Sequence, residues 1–136
     1  MKRHATAVWT GTGKEGKGHV TTQTGVLDNA QYGFKSRFED GKGTNPEELI
    51  AAAHASCFAM KLSFNLTEAE YPPQELNAQC YITFEDGAVK QSKIVLKAQV
   101  IGIDEDKFAE LVEDAKDNCP ISKLLNTDIV VEHTLN

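Results

Sequence analysis

The chain has 136 residues, with 14 lysines and arginines against 20 aspartates and glutamates, so its formal charge is −6 with histidines neutral. That length suits one ordinary domain able to bury roughly two-thirds of its unfolded surface, and a composition of 40% hydrophobic and 25% charged residues excludes wholesale disorder. The acidic balance argues against a general nucleic-acid binder, which needs a basic face to displace counterions. No apolar run approaches the about 18–20 residues of a membrane span, and Met1-Lys2-Arg3-His4 leads into a mixed polar stretch instead of an apolar signal core. A soluble, cytoplasmic protein is expected, in which thiols stay reduced and any disulfide is catalytic or redox-sensing.

The first forty residues read as short strands between glycine-rich turns. Ala5, Ala7 and Trp9 alternate with His4, Thr6 and Val8, the period of a half-buried strand. His19 to Thr24, rich in Val and Thr, predicts a second strand ending at Gly25, and Tyr32 to Phe38 a third, entered through Asp28-Asn29. An antiparallel meander follows from the short connections. Between the first two strands, Gly11-Thr12-Gly13-Lys14-Glu15-Gly16 matches G-x-G-x-x-G. The dinucleotide fingerprint must lead from a strand into a helix, whereas here Gly18-His19-Val20-Thr21-Thr22 is strand-like, so a hairpin loop is expected.

The pattern then turns helical. Asn45 can cap a helix, Pro46 suits its first position, Glu47 and Glu48 favour its positive end, and Asn45 with Glu48 has capping-box spacing. Leu49 to Met60 is nearly apolar on every side, which predicts a helix buried all round, beyond what a small domain encloses alone; a partner subunit is expected. The helix should reach about Glu68, before Tyr71-Pro72-Pro73. Leu76, Ala78, Cys80, Ile82 and Phe84 alternate with polar residues, Asp86-Gly87 makes a turn, and Ile94, Leu96, Ala98 and Val100 alternate again, a hairpin pattern. Asp104 can cap a helix with the stripe Phe108, Leu111, Val112 and Ala115, ending near Asn118. Pro120 opens a short helix carrying Ile121, Leu124 and Leu125, and Asp128 to Thr134 is the final strand. Strands and helices do not alternate regularly, so the class is α+β.

The three cysteines separate by context. Cys80, on the apolar side of a strand, behaves as a small core hydrophobe. Cys57 lies mid-helix, where apolar burial raises the thiol pKa and the dipole of its own helix has faded, so its ionisation requires a cation from elsewhere. Cys119, just before Pro120, sits at a helix N-terminus whose free N–H groups favour a thiolate, and local physics alone nominates it as the nucleophile. His54 and Cys57 have the spacing to share a metal, but without a Cys-x-x-Cys pair a zinc site is disfavoured, and His54 reads better as a packed histidine with both ring nitrogens satisfied. No G-x-S-x-G elbow or phosphate-binding lysine loop is present.

From Gly43-Thr44-Asn45-Pro46-Glu47-Glu48 through Leu49 to Ala55-Ser56-Cys57-Phe58, the sequence resembles the OsmC/Ohr family of peroxide-reducing proteins, most closely its OsmC branch, the osmotically inducible proteins of bacteria. Gly25-Val26-Leu27, Tyr32-Gly33-Phe34, Ser36-Arg37-Phe38-Glu39 and Asn118-Cys119-Pro120-Ile121-Ser122 extend the likeness over nearly the whole chain. The resemblance implies a single domain over residues 1–136, with antiparallel sheets wrapped around a long buried central helix, in an intertwined homodimer with active sites at the subunit interface. It implies Cys57 as the thiol that attacks peroxide, Cys119 as the resolving thiol, and Arg37 and Glu47 as helpers.

The implied chemistry is a cofactor-independent hydroperoxide reductase. Arg37 would supply the cation that Cys57 lacks and offer forked donors to the peroxide oxygens. Glu47, which would oppose ionisation if it sat beside the thiol, is better suited to holding the guanidinium through a bidentate pair. Attack would leave Cys57 as sulfenic acid, Cys119 would condense with it, and a dithiol, lipoyl groups in the family, would restore the thiols. An apolar approach with Phe58 and Met60 would favour organic hydroperoxides over hydrogen peroxide. The alternative is a non-enzymatic redox-sensing or ligand-binding protein that retained the fold.

Overall fold

The computed structural model describes all 136 residues. The chain divides into two compact units, Met1–Leu49 and Ile50–Asn136. In the first, strands β1 (Ala5–Thr10), β2 (Lys17–Thr22) and β3 (Ala30–Tyr32) form an antiparallel sheet in that order. The glycine-rich segment is the β1–β2 hairpin loop, closed by Gly16 N–H donating to Thr12 O at 2.8 Å, as its strand-like sequel requires. Gly18 stands between Trp9 and Tyr32 in the ladder. Their rings close over it, with centroids 5.4 Å apart, and a Cβ at Gly18 would come within 2.7 Å of both. Glycine is the residue that lets this cross-strand pair form.

Three expectations for this unit are corrected. β2 ends at Thr22, not Thr24, because the Thr22 N–H donates to Leu27 O at 2.9 Å and the Thr22 hydroxyl accepts from Leu27 N–H at 3.1 Å, folding the chain into a turn. The third strand stops at Tyr32, and Phe34–Phe38 is a helix, α1. Ser36 causes the switch: its hydroxyl accepts from Gly33 N–H at 2.8 Å and donates to Gly33 O at 3.0 Å. Phe34 and Phe38 then fall at helical spacing, with ring centroids 5.0 Å apart. β1 is exposed along its whole length, so its alternation has no buried face within the chain.

Helix α2 (Pro46–Glu68) begins where expected. Asn45 Oδ1 accepts the Glu48 N–H at 2.7 Å, and the Asn45 amide donates to Ser36 O at 2.9 Å, joining the helix start to α1. The return half of the capping box is replaced: Glu48 Oε2 accepts from the Thr44 hydroxyl at 2.9 Å.

In the second unit, β4 (Glu75–Glu85) and β5 (Ala88–Gln99) form the expected hairpin. Asp86 and Gly87 both have positive φ, 52° and 76°, matching the twist of a two-residue turn. Helices α3 (Glu105–Asn118) and α4 (Pro120–Leu124) lead to β6 (Asp128–Leu135), which pairs with β5 in parallel. This sheet is therefore mixed rather than wholly antiparallel, because the α3–α4 crossover returns the chain in the direction of β5. The core joins Phe58, Leu62 and Leu66 of α2 to Ile94, Leu96 and Ala98 of β5 and to Phe108, Val112 and Ala115 of α3.

Two expectations for α2 change. It is not buried all round within one chain: Phe58, Leu62, Asn65 and Leu66 are buried, while Ala52, Ala53, Ser56, Met60 and Phe64 are exposed. By length and composition it is also apolar enough to cross a membrane, contrary to the reading of the sequence. Its packing identifies a core helix instead. Asn65 Nδ2 donates to Leu111 O at 3.2 Å and Asp114 Oδ2 at 2.8 Å on α3, and the Phe58–Leu62–Leu66 stripe fills the core.

Candidate active site

The first unit holds Arg37 and Glu47. Arg37 belongs to α1 rather than a strand, and its Nε donates to Glu47 Oε1 at 3.0 Å in the first turn of α2. Glu47 is the more buried of the two, with 14% of its side chain exposed against 37% for Arg37. The guanidinium carbon lies 5.1 Å from the centre of the Phe38 ring. With Trp9, Tyr32, Phe34 and Phe38, Arg37 lines an open pocket of about 250 Å³. This places a cation against an aromatic wall.

The second unit brings Cys57 and Cys119 together. Cys57 is half-buried, Cys119 fully buried, and both are free thiols. Burial pushes the Cys57 thiol above its ordinary pKa, a backbone hydrogen bond from Ile121 pulls it down, and the neighbouring Cys119 thiol pushes it up again. The amide that helps Cys57 therefore comes from the first turn of α4, not from its own helix, a long-range effect absent from the sequence reading. The next amide of that turn, Ser122 N–H, donates to Cys119 Sγ at 3.4 Å, so Cys119 caps α4 as its position before Pro120 predicts.

His54 is the packed histidine expected of it. Its Nδ1 lies 2.6 Å from Ser92 Oγ and its Nε2 2.8 Å from Ser122 Oγ, and burial lowers its pKa. Cys80 packs against the core from β4 and lies 3.2 Å from Ser92 Oγ. The expected approach through Phe58 is corrected: Phe58 is fully buried in the core, whereas Met60 is 64% exposed. Ser92 escaped the sequence reading although a signal was present. It is a polar residue in phase with the buried Ile94, Leu96 and Ala98.

The family model described as "OsmC-like protein" matches residues 39–134, which include Glu47, Cys57 and Cys119; Arg37 lies two positions before it. The chain is 44% identical over 133 residues to peroxiredoxin OsmC of Escherichia coli strain K12, covering 95% of this chain and 93% of that protein. It is 33% identical over 120 residues to the organic hydroperoxide resistance protein OhrB of Bacillus subtilis, covering 85% and 88%. The crystal structure of Bacillus subtilis OhrB superposes with a TM-score of 0.65, at 28% identity and 98% coverage of both chains. An OsmC-like protein of unknown function from Vibrio cholerae reaches a TM-score of 0.75 at 15% identity, covering 98% and 99%, a likeness of fold. With a family model matched over most of its length and a relative at 44% identity across nearly all of it, this α+β chain belongs to the OsmC-like family.

Proposed function

We propose that this protein is a cysteine-based peroxidase that reduces organic hydroperoxides to alcohols, and hydrogen peroxide less well. Cys57 attacks the peroxide, Cys119 resolves, and Arg37 and Glu47 assist. The observation that carries this reading is the meeting of Cys57 with Cys119 at the first turn of α4. The 44% identity to a peroxiredoxin supports it. A thiolate at Cys57 displaces alcohol from the O–O bond and becomes sulfenic acid, and Cys119 condenses with it, releasing water and guarding Cys57 from overoxidation. Since burial and Cys119 both hold the Cys57 proton, the reading assigns the compensating cation to Arg37, oriented by Glu47. Aromatic side chains beside Arg37 suit the carbon portion of an organic hydroperoxide.

The same reading takes residues 1–136 as one OsmC-like domain, cytoplasmic, acting as a homodimer with active sites at the subunit interface and regenerated by a dithiol such as a lipoyl group. The exposed Met60 and Phe64, 64% and 67% accessible on the side of α2 turned away from its buried stripe, support a second copy covering that side of α2. Peroxide consumption with a dihydrolipoyl donor, comparing wild type with Cys57→Ser, tests the activity. Turnover is expected for wild type alone; equal rates would end the reading.

A further inference from the structure

Five side chains of the second unit join in one hydrogen-bonded chain. Cys80 Sγ on β4 lies 3.2 Å from Ser92 Oγ on β5, which lies 2.6 Å from His54 Nδ1 on α2. On the other side of the ring, His54 Nε2 lies 2.8 Å from Ser122 Oγ on α4, which lies 3.3 Å from Cys119 Sγ. The middle of the chain is closed to water: His54 and Ser92 are fully buried and Ser122 is 7% exposed.

Counting hydrogens fixes its direction. Each serine hydroxyl brings one hydrogen and a neutral imidazole brings one. These three serve four links, so one of the terminal thiols must donate the fourth. Burial, which lowers the His54 pKa, keeps the ring in the neutral form that the count requires. When Cys119 is a thiolate or half of a disulfide it has no hydrogen to give. Cys80 must then donate to Ser92, Ser92 to Nδ1, the Nε2–H to Ser122, and the Ser122 hydroxyl to Cys119 Sγ.

We infer that Ser122 and His54 are positioning residues for Cys119, holding the Ser122 hydroxyl hydrogen on its sulfur and so assisting its departure when the disulfide is reduced. The inference rests on the peroxidase reading above. Of the two sulfurs, Cys57 is half-buried and Cys119 has no accessible surface, so a dithiol reductant attacks Cys57. A bond forms between the reductant sulfur and Cys57, the Cys57–Cys119 bond breaks, and its electron pair goes to Cys119. The second reductant thiol then displaces Cys57. The reductant becomes a disulfide, and its two protons end on Cys57 and Cys119. A leaving thiolate departs faster the better its charge is stabilised, and Cys119 receives both the Ser122 hydroxyl and the Ser122 N–H. Cys80, the remote donor, gains a role as the head of the chain.

The test uses the full-length protein with the disulfide formed by diamide, so this step is measured whether or not peroxide is turned over; absence of peroxide turnover would instead count against the peroxidase reading. Stopped-flow reduction by dihydrolipoate should slow at least about tenfold in Ser122→Ala relative to wild type, the low end of what one lost hydrogen bond to a charged group costs, and Ser122→Thr should restore it. Nitrogen-15 NMR of the oxidised wild type should show the Nε2–H tautomer of His54. Reduction of Ser122→Ala at the wild-type rate, failure of Ser122→Thr to rescue, or a dominant Nδ1–H tautomer would each overturn the inference.

Discussion

Arg37 Nε donates to Glu47 Oε1 at 3.0 Å, so the guanidinium of a five-residue helix is anchored to the first turn of the longest helix in the chain. A pair with one partner more than a third exposed contributes little to stability, about 0.2–1 kcal/mol. Its value lies in orientation. Glu47→Gln should therefore shift the thermal midpoint only slightly yet lower kcat/KM for cumene hydroperoxide roughly tenfold, the cost of about 1.4 kcal/mol of transition-state stabilisation. Melting curves and peroxide assays on the same preparations check this, and an unchanged kcat/KM would remove Glu47 from the proposed machinery.

Cys57 and Cys119 should differ in what their loss does. Cys57→Ser is expected to abolish peroxide consumption. Cys119→Ser should retain one oxidation of Cys57 and then accumulate sulfinic and sulfonic forms, since no neighbouring thiol remains to condense with the sulfenic acid. Mass spectrometry of the intact variants after stepwise peroxide addition distinguishes the two; a disulfide persisting in Cys119→Ser would point to Cys80 instead.

Burial lowers the His54 pKa in the folded chain, and the sign of its linkage follows. The unfolded chain binds a proton near pH 6.5 that the folded chain refuses, so stability is highest above that pH and falls as pH drops towards the folded value. Denaturant midpoints measured from pH 7.5 downwards should decline below about 6.5, and His54→Gln should flatten that decline while lowering stability at neutral pH. A decline identical in both proteins would exclude His54 as its source.

Met60 and Phe64 lie on the side of α2 away from the core and are largely exposed. Replacing both with glutamate should leave the fold of the second unit intact, because neither residue belongs to its core, and should shift sedimentation from dimer to monomer. Burying two charges at an apolar contact would outweigh the gain of covering it. Unchanged sedimentation would remove this side of α2 from the proposed subunit contact.

Much of this protein is fixed by local chemistry. The Asn45-Pro46 start of α2, the Asp86-Gly87 hairpin, the Asp104 cap and the alternation of β4 and β5 depend on residues within a few positions of one another, and each is readable without a fold. Departures began where a side chain bonded to the backbone a few residues away against the hydrophobic pattern: Ser36 turned a strand-like run into α1, and Thr22 cut β2 short. The cysteines show the larger divide. Sequence alone gave Cys119 its helix N-terminus, but only the tertiary structure brings α4 to Cys57, so that a single turn presents one amide to each thiol. It likewise gathers Cys80, Ser92, His54, Ser122 and Cys119 into one chain. Capping and periodicity are short-range and are written in neighbouring residues. Thiol ionisation and buried hydrogen-bond direction depend on groups up to 68 positions apart, and those meet only when the chain folds.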